Sequence, residues 1–162
     1  MGNGFNEELL ERKRREVKIY QATMEDLQGV ASLFNEYRMF YRQDSNIEGA
    51  EQFLRERMER KESVIFVAVE DGKYFGFTQL YPSFSSVSMK ELWILNDLFV
   101  RSEARGTGVG KQLLAKAKQF AVETGAKGLK LQTEVDNAAA QHLYVGNGYI
   151  RDDRYFHYEL TL

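Results

Sequence analysis

Residues 105–110 read Arg-Gly-Thr-Gly-Val-Gly. Glycines lack the Cβ that would hold a ligand away from the backbone. Where such a run opens a helix, unpaired N–H groups and a partial positive charge make a seat for phosphate. Arg105 adds a guanidinium suited to phosphate oxygens. A dinucleotide fingerprint would need Gly-x-Gly-x-x-Gly at the first strand-to-helix turn, with an acid further on. Here the spacing is Gly106-x-Gly108-x-Gly110, late in the chain, although Glu134 mimics the acid. A nucleoside-triphosphate loop needs Ser or Thr after Gly-Lys, and Gly110-Lys111 is followed by Gln112. A tight turn built on flexible glycines is the structural alternative.

A phosphate loop needs a strand before it and a helix after it. The run 91–100, "ELWILNDLFV", reads as a long apolar strand. Val109, Leu113, Leu114, Ala117, Phe120 and Ala121 recur at helical spacing, and Gly125 suits the position just past the helix end. Upstream, residues 17–23 alternate as a strand, and Thr23 with Asp26 resembles a capping box. Leu27, Val30, Ala31, Phe34, Tyr37 and Tyr41 then predict one helix. A second follows Ser45 or Asn46, with Ile47, Ala50, Phe53, Leu54 and Met58 on one face. Two β-rich runs flank Asp71-Gly72, a hairpin signal. Pro82 should end the second run, leaving 82–89 as a loop or distorted strand end. Downstream, 128–135 reads as a strand and Asn137 to about Val145 as a short helix stopped by Gly146 and Gly148. Residues 149–152 and 155–162 read as closing strands. The expected class is α/β of the α+β kind: a mixed sheet, antiparallel early, with a βαβ crossover at the glycine loop and flanking helices. A polar lead-in (1–16) precedes a single domain (17–162).

The 162 residues are 43% hydrophobic and 28% charged, as expected of one soluble globular domain. A net charge of −2 argues against a mainly electrostatic nucleic-acid binder. With no cysteine, there can be no disulfide, thiolate metal site or cysteine nucleophile, which fits the cytoplasm. The first residues carry no apolar segment of a secretory signal, and the longest apolar run, 64–69, is far short of a membrane span. His142 and His157 lack partners at metal-ligand spacing, so no metal is expected.

Arg105-x-x-Gly108-x-Gly110, after a strand ending Leu98-Phe99-Val100, resembles the acetyl-CoA signature of the GCN5-related N-acetyltransferase (GNAT) superfamily. Downstream, Asn137, Ala140, Leu143, Tyr144, Gly148 and Tyr149 are similar to its second segment, Asn-x-x-Ala-x-x-Leu-Tyr-x-x-x-Gly-Phe/Tyr. The resemblance covers roughly 17–161 and is strongest over 92–150. It implies a GNAT-type acyl-CoA N-acyltransferase fold, with acetyl-CoA as co-substrate. In the family, the strand before the loop splays from the next parallel strand, and the pantetheine arm lies in the gap. Leu98, Phe99 and Val100 would offer backbone groups to that arm. Arg105, Gly106, Thr107, Gly108, Val109, Gly110 and Lys111 would surround the pyrophosphate. Asn137 matches the polar residue that reaches the arm, and it also suits a helix N-cap. Tyr144 would be the general acid that protonates the departing thiolate.

The acceptor is then a primary amine, on a small molecule or a protein. A lysine-like amine has a pKa of ~10.4 and must lose a proton to attack. In the family an acid on the strand before the loop often removes it. Asp97 is the choice here, with Glu91, Glu134 or water as alternatives. Simple alternation puts Trp93, Leu95, Asp97 and Phe99 on one face. No Gly-x-Ser-x-Gly elbow appears, so direct transfer in a ternary complex is expected. The acceptor groove would draw on 36–46 and 80–89, rich in Tyr37, Phe40, Tyr41, Tyr81 and Phe84. Phe34 reads as core. A non-catalytic acyl-CoA-binding or sensing module on the same fold is the rival reading, and a dinucleotide-binding domain the third. No nucleic-acid or membrane partner is expected. Dimerisation of family members leaves room for a homodimer through residues 155–162.

Overall fold

The computed structural model describes residues 17–162. The chain divides into two compact units after Leu131. The first carries the sheet. Its strands are β1 (Lys18–Gln21), β2 (Val64–Glu70), β3 (Lys73–Ser85), β4 (Lys90–Val100) and β5 (Leu129–Lys130). They lie side by side in sequence order. The first three pairings are antiparallel and β4–β5 is parallel. The helices are α1 (Leu27–Phe40), α2 (Ile47–Glu59) and α3 (Val109–Glu123), the last forming the crossover from β4 to β5.

Local chemistry sets the boundaries. The Thr23 N–H donates to Asp26 Oδ2 at 2.9 Å and Thr23 Oγ1 accepts from the Glu25 N–H at 3.3 Å. This capping box starts a 3-10 turn (Met24–Asp26) that runs into α1. Asn46 caps α2 through its side chain. Asp71 (φ 48) and Gly72 (φ 74) take the left-handed conformations that a two-residue hairpin turn requires. At the end of α3, the Gly125 N–H reaches Val122 and the Ala126 N–H reaches Ala121, a Schellman closure with glycine at φ 68.

The helices cover opposite faces of the sheet. Phe34 and Tyr37 of α1 meet Phe77 edge-on, with centroids 6.2 and 6.0 Å apart. Phe120 of α3 meets Phe66 at 5.6 Å and Trp93 at 5.0 Å from the other side. Leu33, Leu54, Val67, Phe77, Leu80 and Leu113 are fully buried between these layers.

Three expectations within this sheet are corrected. Pro82 does not end β3, which continues to Ser85 with Pro82 opposite Trp93. The partner strand β2 ends opposite Leu80, so the later part of β3 is an edge, where a residue without N–H is tolerated. The strand expected over 128–135 is only Leu129–Lys130. Third, β4 does not alternate simply. Leu95 pairs with Leu80 and Asp97 with Gln79, so Asn96 is an extra residue and β4 bulges there. Trp93 consequently packs on α3, while Phe99 packs on Tyr37 of α1 at 6.3 Å.

The second unit, Gln132–Leu162, contains one regular element, α4 (Ala138–Gly146). Its Asn137 cap accepts from the Ala140 N–H at 3.1 Å. Gly148 (φ 89) turns the chain so that the Tyr149 N–H closes on the Tyr144 carbonyl at 3.1 Å. The closing strands expected at 149–152 and 155–162 are absent among the described residues. Side-chain pattern alone makes no strand, because the backbone must also find a ladder partner.

Candidate functional site

The end of β4 is anchored before the glycine loop begins. The Arg101 guanidinium binds both Glu36 oxygens of α1, with Nη2 to Oε1 at 2.7 Å, and Nη1 donates to the Tyr74 carbonyl at 2.9 Å. A 3-10 turn (Ser102–Ala104) follows, with Ala104 buried. Thr107 Oγ1 donates back to the Ala104 carbonyl. Gly106 (φ 75) and Gly108 (φ 89) are left-handed, and buried Val109 sets the start of α3 into the core. Gly108 is the N-cap and brings no side-chain acceptor to the first turn.

A Cβ built on Gly106 or Gly108 would meet no atom within 4 Å. The protein's own packing therefore does not exclude a side chain there. The backbone conformation does, and the space in front of the loop stays open. An uncapped helix start beside open space, with exposed Arg105 and Lys111, fits the pyrophosphate of a CoA ester. Arg105 has a bracing role as well. Its Nε donates to the Val100 carbonyl at 2.9 Å, and its guanidinium lies 5.8 Å from the Phe40 ring and 5.9 Å from that of Phe99.

The outer edge of β4 is open above this loop. β5 pairs with it only at Trp93–Leu129 and Ile94–Lys130. From Leu95 to Val100, β4 has no strand on that side among the described residues. Leu98, Phe99 and Val100 are half-buried and held in register by Thr78, Phe77 and Gly76 on the inner side. Phe99 turns its backbone toward β3, and the outward groups of Leu98 and Val100 lead to the glycine loop, where the Val100 carbonyl accepts from Arg105.

Asp97 sits on the α1 side of the sheet, 3% exposed. Oδ2 accepts from Gln79 Nε2 at 2.7 Å, Oδ1 accepts from Asn96 Nδ2 at 3.1 Å, and Tyr37 also hydrogen-bonds to the carboxyl. Burial pushes its pKa above the ordinary carboxylate value, against the hydrogen bonds that favour the ionised form. Tyr81 lies beside this cluster. Burial, together with the Asp97 charge, pushes its phenol up to about 12, while Arg57 of α2 and a bond to Gln79 oppose the shift. Arg57 itself is paired with Glu56 and Glu62 and lies over the Phe53 ring. The alternative bases Glu91 and Glu134 are both exposed.

Of the remaining expected residues, Asn137 and Tyr144 lie in the second unit. Asn137 performs the N-cap role through Oδ1. Tyr144 is half-buried on α4, with its ring centroid 5.8 Å from that of Tyr149. Burial and the neighbouring Tyr144 push the Tyr149 phenol up to about 12. Phe34 is core, as expected, whereas Tyr41 and Phe84 are exposed. Among the described residues, no group of three or more His, Cys, Asp or Glu could hold a metal ion, and no helix is long and apolar enough to cross a membrane.

The sequence reading missed Gln79 and Arg57 and gave Tyr37 to the acceptor groove. Gln79 carried a signal: it is a lone amide between Thr78 and Leu80 in a strand whose neighbours are otherwise apolar. That pattern shows a buried polar group but not its partner.

Comparison with known proteins supports the same architecture. The model of the acetyltransferase (GNAT) family matches residues 30–149. YhfO of Bacillus subtilis (strain 168), described as an uncharacterized N-acetyltransferase, is 53% identical over 146 residues, spanning 90% of this chain and 98% of that protein. A probable acetyltransferase of Haemophilus influenzae is 36% identical over 105 residues, or 64% of this chain and 72% of that one. The crystal structure of a probable acetyltransferase superposes with a TM-score of 0.85 at 46% identity, covering 90% of this chain and 97% of the other. The glycine loop and the parted strands thus belong to an inherited scaffold, and the chain is an acyltransferase of the acetyltransferase (GNAT) family.

Proposed function

We propose that the protein transfers the acetyl group of acetyl-CoA directly to a primary amine, on a small molecule or a protein, in the cytoplasm. The carrying observation is the open outer edge of β4, which leads to an uncapped, glycine-lined helix start. The pantetheine arm of a CoA ester carries amide groups that suit an unpaired strand edge, and its pyrophosphate suits the helix start. GNAT enzymes use acetyl-CoA, so the donor follows from the family.

Acetyl-CoA supplies the activated acetyl thioester. The backbone of Leu98 and Val100 orients it, and the loop 105–111 holds its phosphates. Asn137 combines its capping bond with a contact to the arm. Asp97, which burial makes a stronger proton acceptor than an ordinary carboxylate, takes the proton that the acceptor ammonium must lose. The amine nitrogen then forms the C–N bond as the C–S bond breaks, Tyr144 protonates the departing thiolate, and the second proton shed by the acetylated nitrogen goes to solvent, from which the Tyr144 phenol is restored. Rate comes chiefly from holding amine and thioester together.

The test is release of free thiol from acetyl-CoA across a panel containing spermine, kanamycin and a lysyl peptide. Amine-dependent release is expected with at least one class. No release, combined with a rise in Tm on adding acetyl-CoA, would favour a non-catalytic acyl-CoA sensor. No rise in Tm would overturn the donor site itself.

A further inference from the structure

We propose that Gln79 is a positioning residue for Asp97, holding the carboxylate through one amide proton. This deepens the reading of Asp97 as base and rests on it. Gln79 is 0% exposed and is the register partner of Asp97 across β3 and β4. Its Nε2 donates to Oδ2 at 2.7 Å. The carboxylate accepts and cannot donate, so the amide must turn its NH2 group toward Asp97. That fixes Oε1 on the other side, where it is buried with no hydrogen-bond partner. A half-satisfied amide in a sheet core is costly, and an apolar side chain of the same size would avoid the cost. Thr78, its neighbour in β3, is also fully buried but is satisfied by the Asp97 carbonyl at 2.9 Å. Gln79 therefore breaks the local rule in a way that Thr78 does not, and such breaks concentrate where chemistry is done.

The bond acts on the ionisation of Asp97. Burial favours the neutral acid, whereas the bonds from Gln79, Tyr37 and Asn96 favour the carboxylate. Among the described residues, the titratable and charged groups at the cluster are Tyr37 from α1, Tyr81 from β3 and Arg57 from α2, the last paired with Glu56 and Glu62. Gln79 supplies the 2.7 Å bond from the strand opposite the bulge, so it fixes which way the carboxyl points as well as how readily it holds a proton.

The test uses Gln79→Met, similar in length but without a donor, and Asp97→Asn. The Asp97 carboxyl is titrated by 13C NMR in the protein alone and assigned by its loss in Asp97→Asn, so this readout needs no acceptor. We expect the midpoint to rise by about one pH unit in Gln79→Met. With the amine that gives the fastest turnover, the acid limb of kcat should move alkaline by a similar amount, with KM for acetyl-CoA unchanged. An unmoved midpoint in a folded Gln79→Met overturns the positioning role. If Asp97→Asn is inactive in the same series, the base assignment survives that failure. Full activity of Asp97→Asn overturns both. Should Gln79→Met not fold, Gln79→Glu places a second carboxyl against Oδ2, and the pair must share a proton. The Asp97 midpoint then rises, and an unmoved midpoint overturns the proposal.

Discussion

Gly108→Ala separates the backbone requirement of the glycine loop from its function, because α3 carries its own control. The helix begins after Gly108 at φ 89 and ends before Gly125 at φ 68, and at both a Cβ would meet nothing within 4 Å. Neither alanine clashes, so each should cost only the left-handed strain of an L-residue, about 1–2 kcal/mol. For a chain of this size that corresponds to a fall in Tm of about 2–8 °C, similar in the two variants. They should differ in donor binding. Only at Gly108 does the new methyl enter the space that the proposed function gives to a pyrophosphate. Losing one hydrogen bond to a charged group costs about 1.5–3 kcal/mol, or about a 10- to 150-fold rise in Kd for CoA. Differential scanning fluorimetry gives both Tm values, and isothermal titration calorimetry gives the affinities. Equal loss of Tm with unchanged CoA affinity in Gly108→Ala would refute the assignment of this loop to phosphate. Equal loss of affinity in Gly125→Ala would show that strain in α3, and not occlusion, is responsible.

Asp97→Asn should lower kcat yet gain stability relative to wild type as pH rises. The folded pKa lies above the ordinary 3.8, so the folded protein holds the extra proton between those two values and wild-type stability falls across that window. Melting curves from about pH 4 to 8 check this, and a constant difference in Tm would refute it. Tyr144→Phe should reduce kcat by about 10²–10⁴ with little change in KM for acetyl-CoA. Wild-type thiol release by that variant would remove the acid role. Tyr74→Phe deletes a 2.6 Å bond to the Asp26 carboxylate and should cost about 1.5–3 kcal/mol in urea unfolding at neutral pH. Burial raises the Asp26 pKa, but bonds from Tyr74, Thr23 and Tyr20 outweigh it and hold the carboxyl below 3.8. The stability they contribute is present above 3.8 and is lost as pH falls through the lower folded value. The gap between Tyr74→Phe and wild type should therefore narrow in acid.

Features decided by a few adjacent residues were legible in the sequence. The Thr23–Asp26 box, the Asp71-Gly72 turn, the inward row of α3 and its Gly125 stop all appear where the pattern placed them. Each depends on backbone conformation within a few positions. Long-range pairing was less legible. Residues 128–135 carry a strand's composition, yet the ladder with β4 stops at Lys130. Pro82 read as a terminator because its environment was unknown, and it lies in a strand because β2 stops short of it. The proposed donor half of the site rests on short motifs, while the cluster around Asp97 joins α1, α2, β3 and β4.

The single residue that most limits a sequence reading here is Asn96. Strand alternation is a strict count of two, so one inserted residue reverses the face of everything after it. Counting from Trp93 placed Asp97 and Phe99 beside it, and the bulge instead separates Trp93 on the α3 face from Phe99 on the α1 face. The outcome is chemically consequential. Without the bulge, the carboxylate that faces Tyr37 and Gln79 would point toward α3, whose packed residues Leu113, Leu114 and Ala117 offer no hydrogen bond from a side chain. Asn96 is exposed, and its own amide returns to Asp97 Oδ1. Its side chain thus helps to satisfy the acid that its backbone irregularity turns toward α1. Nothing in the hydrophobic pattern of "WILNDLF" distinguishes this arrangement from a regular strand with two adjacent polar residues. The distinguishing fact is the register against β3, where Leu80 faces Leu95 and Gln79 faces Asp97. The position of a catalytic candidate was therefore fixed by the partner strand.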